Sequence, residues 1–284
     1  MKEIHFFDLD YTLWITDSKL SVINKNKPEE VIYRIDPIHI PMMKTYWKKF
    51  DLLVNYNGKN WWLSKDIWEH IQRNNKNIKL TDIGISDREW SSEELLSKKK
   101  DKTYFLMSNL NHLKNKWNIS ISFLTARTQE KAHSELLNDL KKRIYRRLKI
   151  NVQRTFFVNN LDDDSNDDLT AGKKAKILLE HLIGYKIRRG KFIDLEQTTT
   201  SAVHFYDDNP KNIDASKNLQ LLFESCLSNT DIEIKKKIVE RVKNTDLKYV
   251  THQITNNEVE LFQTDERKLL LPNMLEIFEH FRLK

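Results

Sequence analysis

The sequence predicts an α/β fold: a mostly parallel sheet flanked by helices, with a largely helical insertion after the first strand. Three observations carry this. Short apolar runs, several ending in Asp or Thr, alternate with segments whose apolar residues recur every three or four positions. Residues 15–116 break that rhythm. They also hold Trp47, Trp61, Trp62, Trp68 and Trp90, while Trp14 and Trp117 flank them, so the stretch needs a core of its own or a ligand surface. The expected division is a core made of 1–20 and 117–284, with a Trp-rich insertion at 21–116.

The core elements follow in order. Residues 4–9 (IHFFDL) form a buried strand closing on Asp, and 119–125 (ISISFLT), 154–158 (RTFFV) and 202–207 (AVHFYD) read the same way. Residues 247–254 (LKYVTHQI) alternate and are rich in β-branched side chains, which makes a fifth strand. Helices are expected at 128–149 (Leu136, Leu137, Leu140, Ile144, Leu148), at 173–183 (Ile177, Leu178, Leu182) and at 273–282 (Met274, Leu275, Ile277, Phe278, Phe281). Acidic Asp162–Asp168 (DDDSNDD) lacks the Gly and terminal Glu of a calcium loop and reads as a solvated connection.

Composition removes several classes. The 284 residues include one cysteine, Cys226, which excludes a disulfide framework and a multi-Cys zinc ribbon. At 39% hydrophobic and 10% aromatic the chain is too apolar for disorder. Charges interrupt every apolar stretch, so no signal peptide or membrane span is expected, and the cytoplasm is the expected compartment. The 48 Lys and Arg against 41 Asp and Glu leave a net charge of +7, which permits a polyanionic partner without requiring one.

Four short pieces carry candidate chemistry. Asp8-Leu9-Asp10-Tyr11-Thr12 follows the first strand, and open parallel sheets bind ligands outside the carboxyl ends of their strands. Two carboxylates there can share one centre, one attacking an electrophile while the other handles a proton. Thr125, in Ser122-Phe123-Leu124-Thr125-Ala126-Arg127, either donates to a phosphate oxygen or caps the next helix. A lysine opening the 173–183 helix offers a compact cation for phosphate. Taking Lys174 as anchor, Ile177 and Leu178 fall at +3 and +4 and Leu182 at +8, so Lys174 lies on the buried stripe. Lys173 is the second choice and Lys176 the third. Phe205-Tyr206-Asp207-Asp208-Asn209-Pro210 either holds Mg²⁺ through paired acids or simply turns into a helix opened by Asn-Pro.

These pieces, in the order strand–DxDxT, strand–Thr, Lys–helix, strand–DD, resemble the motifs of the haloacid dehalogenase-like (HAD) superfamily of aspartate-nucleophile phosphatases, over 1–20 and roughly 118–215. The resemblance implies a HAD-like Rossmannoid core and a Mg²⁺-dependent phosphatase. Asp8 is then the nucleophile that forms an aspartyl-phosphate, and Asp10 the general acid and base. Thr125 and Lys174 hold the phosphoryl oxygens, and Mg²⁺ sits among Asp8, Asp10, Asp207 and Asp208. Thr12, Arg127 and Lys173 are expected to bind substrate. Asp10 and Thr12 fit the phosphatase subtype.

A narrower set is similar to the HAD domains described as "Swiss Army Knife" RNA-repair-like. It comprises Trp61-Trp62, Arg88 to Leu96, Leu124-Thr125-Ala126-Arg127 and Tyr206-Asp207-Asp208. Ala126 stands where that family has Gly, and Asn209 where it has a basic residue. This resemblance implies a phosphorylated substrate such as a DNA or RNA end or a nucleotide. Basic clusters at 141–149 (KKRIYRRLK) and 186–191 (KIRRGK) either track a nucleic-acid backbone or face solvent. Trp61, Trp62 and Trp90 either stack on bases or fill a core. A small phosphorylated metabolite, or a non-catalytic binding or assembly role, are the alternatives.

Overall fold

The computed structural model describes residues 2–15, 19–35, 52–86, 104–126, 131–158, 170–193, 200–254 and 262–272. The chain divides into two compact units. One comprises Met1–Ile15, Tyr104–Gln129 and Leu137–Lys284; the other comprises Thr16–Thr103 and Glu130–Leu136.

The first unit is built on a six-stranded sheet. Its strands are β1 (Lys2–Phe7), β9 (Ile119–Thr125), β10 (Val152–Phe157), β13 (Thr200–Asp207), β14 (Lys248–Ile254) and β15 (Phe262–Lys268), in the order β10-β9-β1-β13-β14-β15. All neighbours run parallel except β14 and β15. The first strand is therefore central, with the next two stacked to one side and the later ones to the other. The order reverses between β1 and β13, the place where doubly wound sheets bind ligands.

The two faces of this sheet differ. Ile4, Phe6, Leu124, Val203, Phe205 and Tyr249 join one core cluster with α3 (Thr170–Ile183), α4 (Pro210–Lys217), α5 (Leu219–Ser228) and α6 (Ile232–Asn244). Strand alternation sends His5, Phe7, His204, Tyr206 and His252 to the other face. There the 3₁₀ helix Met107–Leu113 brings His112 against Tyr206, whose rings lie 5.1 Å apart. The helix α2 (Lys131–Leu148) buries Leu137, Leu140 and Ile144 and bonds that 3₁₀ helix through Arg147 and Asn111. All five core strands read from the sequence are present, and two of the three core helices. The helix expected at 273–282 and the acidic patch at 162–168 lie outside the described residues.

The insertion differs from expectation. Among its described residues it is mostly strand rather than helix. An antiparallel sheet joins β3 (Leu20–Asn24), β4 (Lys27–Ile35) and β7 (Ile83–Ser86) in the order β4-β3-β7. β5 (Leu52–Tyr56) and β6 (Lys59–Leu63) form a hairpin, and α1 (Lys65–Asn74) follows, capped by Ser64 Oγ accepting from Ile67 N. The physical reason is a turn signal. Asn57-Gly58 sits between two alternating runs, and both residues take positive φ, 49° and 73°, as a two-residue hairpin loop requires. Val54, Trp61, Leu63, Trp68 and Ile71 pack into this unit's core with Leu20, Val22, Ile83 and Ile85. Trp61 and Trp68 are thus core residues rather than a stacking surface, Trp62 is half-buried, and Trp47 and Trp90 lie outside the described residues.

Candidate active site

β1 and β13 end side by side, and their carboxyl ends carry Asp8 and Asp207. Asp8 N donates to Tyr206 O at 2.9 Å, which extends the parallel pairing by one step and fixes the Asp8 backbone. α3 supplies the cation. Its buried stripe (Ala175, Ile177, Leu178, Leu182) faces the sheet, and Lys174 lies on that stripe in the first turns. Only 1% exposed, Lys174 donates to Asp8 Oδ1 at 2.8 Å and to Asp207 Oδ2 at 2.7 Å. Lys173 and Lys176 are half-buried on neighbouring flanks of the helix.

Asp207 is fully buried and held on both oxygens. Oδ1 accepts from Asn209 N at 2.8 Å, and Oδ2 also accepts from Asn212 Nδ2 at 2.9 Å. Asn209 caps α4 through Lys211 N, with Pro210 next, so the Asn-Pro turn and the acid pair are one device. Asn212 was not legible as a site residue in the sequence. Its signal is its place in the first turn of the helix that Asn209-Pro210 opens.

The turn after β1 is tight. Thr12, Leu13 and Trp14 all donate backbone N–H groups to Leu9 O, and Tyr11 takes φ 55°. This folds Asp10 back so that its Oδ1 accepts from Trp14 Nε1 at 2.9 Å. Thr12 is fully buried with its hydroxyl enclosed, and its carbonyl accepts from Asn109 Nδ2 at 2.7 Å, which braces the turn on the 3₁₀ helix. Thr125 ends β9, is 1% exposed, and pairs with Phe157. Arg127 lies outside the described residues.

The charges at this edge do not balance. Burial, more than any neighbour, pushes the Asp8 carboxyl up to about 7; Lys174 pulls it back and Asp207 pushes it further. Burial and the charges of Asp207 and Asp8 push Asp208 up to about 8. Burial alone would discharge Lys174, but Asp207 and Asp8 overcome it and raise its pKa above the ordinary lysine value. One ammonium thus faces several carboxylates, and the excess negative charge is what a cation would neutralise. Asp8, Asp207 and Asp208 each offer an oxygen within 4.8 Å of the others, the hard donor set that suits Mg²⁺.

No family model and no curated protein matches this sequence. Among solved structures, the HAD domain of the effector protein Lem4 from Legionella pneumophila aligns at a TM-score of 0.26, and its inactive mutant at 0.27. Both are 12% identical, and both alignments cover 99% of this chain and 93% of that chain. No helix among the described residues is long and apolar enough to cross a membrane.

Proposed function

We propose that the chain is a Mg²⁺-dependent phosphomonoester hydrolase working through an aspartyl-phosphate on Asp8. The observation that carries this is Lys174 bridging Asp8 and Asp207 at the point where the strand order reverses. A buried lysine between two strand-end carboxylates costs desolvation that a purely structural site avoids by using apolar side chains.

Asp8, held by Lys174 through one oxygen, attacks phosphorus through its carboxylate. The bond from phosphorus to the leaving oxygen breaks, and Asp10 gives that oxygen its proton. Asp10 then takes a proton from water, the water oxygen attacks phosphorus, and the bond to Asp8 breaks to release phosphate. Lys174 and Thr125 steady the phosphoryl oxygens. Asp8, Asp207 and Asp208 would hold the metal, which supplies charge neutralisation between the nucleophile and a phosphate dianion.

The substrate we propose is a small phosphorylated molecule, a mononucleotide or metabolite, rather than a polynucleotide end. A helix that links two parallel strands runs back from their carboxyl ends to their amino ends. Residues 144–148, the last turns of α2, lie toward the edge opposite Asp8, while Arg143 covers the ring of Phe105, which pairs with Trp14 in the turn after β1. The 186–191 cluster follows the far end of α3, on the hairpin of β11 (Lys186–Arg188) and β12 (Lys191–Ile193), and is directed the same way. Arg143 apart, the clusters are directed away from the edge where a strand would be processed.

The test is phosphate release with Mg²⁺ from phosphorylated oligonucleotides, mononucleotides and sugar phosphates, run beside Asp8→Asn. Release that Asp8→Asn lowers by at least about 10³-fold is expected. Full activity in Asp8→Asn would sink the mechanism. No release together with no Mg²⁺ binding by calorimetry would make the chain a binding module.

A further inference from the structure

The turn after β1 holds a device of its own, built around Asp10 rather than Asp8. Trp14 is fully buried, and its Nε1 donates to Asp10 Oδ1 at 2.9 Å. The backbone that carries the indole is tied on both sides. Trp14 N donates to Leu9 O at 3.0 Å, and Trp14 O accepts from Tyr11 N at 2.8 Å. β2 (Trp14–Ile15) pairs antiparallel with β8 (Tyr104–Phe105), which sets Trp14 opposite Phe105. Leu13 O accepts from Leu106 N at 2.8 Å, and the Arg143 guanidinium lies 4.6 Å from the centre of the Phe105 ring. The indole is therefore fixed before any substrate arrives.

An indole N–H can only donate. Asp10 Oδ1 is thus kept as an acceptor, and a proton carried by this carboxyl sits on Oδ2. Burial is the largest push on the Asp8 and Asp208 carboxyls, but the charge of Asp10 also reaches both. The held carboxyl is therefore within electrostatic reach of the nucleophile. A buried indole N–H needs an acceptor, and a backbone carbonyl would serve packing alone. Here the acceptor is instead a carboxyl at the acidic edge, delivered four residues back by the tight turn.

We propose, on the phosphatase reading of Asp8 and Asp10, that Trp14 is a positioning residue that fixes which oxygen of Asp10 exchanges the proton. In the first step the Oδ2–H bond of Asp10 breaks together with the bond from phosphorus to the leaving oxygen, and the proton goes to that oxygen. In the second step Oδ2 takes a proton from the attacking water. Oδ1 stays on the indole throughout. A misplaced carboxyl costs most where the leaving oxygen needs that proton. The esters that depend on Trp14 are then those with basic leaving groups, such as sugar hydroxyls, rather than acidic phenols.

The test follows a single turnover with Mg²⁺, the full chain in excess, on p-nitrophenyl phosphate and on phenyl phosphate. The two esters are alike in shape, but nitrophenolate leaves without a proton far more readily than phenolate. Trp14→Phe should slow phenyl phosphate at least about tenfold, with a loss on p-nitrophenyl phosphate at least about threefold smaller. In an Asp10→Asn background Trp14→Phe should add nothing, because both changes act through one carboxyl. If Trp14→Phe does not fold, a benzothiophene in place of the Trp14 indole keeps the shape and deletes the N–H, and the same losses are expected. Equal losses on the two esters, no loss on either, or a loss that persists in the Asp10→Asn background would make Trp14 a packing residue and leave Asp10 as the acid. Asp10→Asn with unaltered rates on both esters, or an unaltered chain that cleaves neither, would instead overturn the acid–base reading, and this role with it.

Discussion

Lys174 is where stability and chemistry meet. Its two ion pairs are buried, so removing one side leaves two buried carboxylates without the cation that pairs them. Lys174→Met should cost about 3–5 kcal/mol in urea unfolding without metal, because breaking a buried pair from one side leaves uncompensated charge. Phosphatase activity should fall as well, even under conditions where the variant is folded. Asp8 and Asp208 set a pH dependence of opposite sign to the usual surface carboxylate. Their folded pKa values, about 7 and about 8, lie above the unfolded value, so the folded state holds protons that the unfolded state has shed. Their contribution to stability is complete below about pH 4 and is lost as pH rises through 7 and 8. Mg²⁺ competes with those protons. It should therefore raise the melting temperature more at pH 8 than at pH 5.5, and Asp208→Asn should shrink that difference. Equal Mg²⁺ shifts at both pH values would mean that the ion binds elsewhere.

At the scale of elements, α3 shows why the lysine was legible. Its apolar residues repeat at +3, +4 and +8 from Lys174, and a residue in phase with a buried stripe must itself be buried. Asp207 and Asp208 were legible only as two alternatives, an acid pair at a sheet edge or a turn into a helix, and the Asn209-Pro210 turn that binds Asp207 makes the two compatible. Asn212 and the brace from Asn109 to Thr12 were not, since both depend on contacts between distant or turning segments that periodicity does not encode. In the insertion, the strands among the described residues follow from the alternation on either side of Asn57-Gly58, a period-2 pattern that the tryptophan content does not reveal. Two glycines test these elements with opposite signs. Gly172 is exposed near the start of α3, and a Cβ there meets nothing within 4 Å. Gly172→Ala should stabilise by about 0.5–1 kcal/mol, chiefly by restricting the unfolded chain. At Gly84 on β7, a Cβ would sit 2.5 Å from the Tyr56 ring of β5. Gly84→Ala should loosen the insertion, seen as faster proteolysis within that unit, while leaving the Mg²⁺-induced shift of the core in place.

For the whole molecule, a net charge of +7 says that cations are in excess but not where they are. The connectivity of the sheet supplies the missing coordinate. Strands deliver Asp8, Thr125 and Asp207 to one edge, and the helices that follow carry their late residues to the other. Lys142, Arg146 and Arg188 are exposed, and all three lie toward that far edge. Reversing them together to Glu changes the net charge by six without entering the acidic edge. Phosphate release from a mononucleotide should then change by less than about twofold, since three distant surface charges are screened beyond about 10 Å at ordinary salt. Release from a 3′- or 5′-phosphorylated oligonucleotide should respond no more strongly. A polynucleotide substrate would behave otherwise. Each neutralised phosphate contact adds close to one unit to the slope of log affinity against log salt, so the triple variant would lose oligonucleotide turnover and flatten its salt dependence while sparing the mononucleotide. That split would return the nucleic-acid end to the site and would require its backbone to wrap from the acidic edge to the far one.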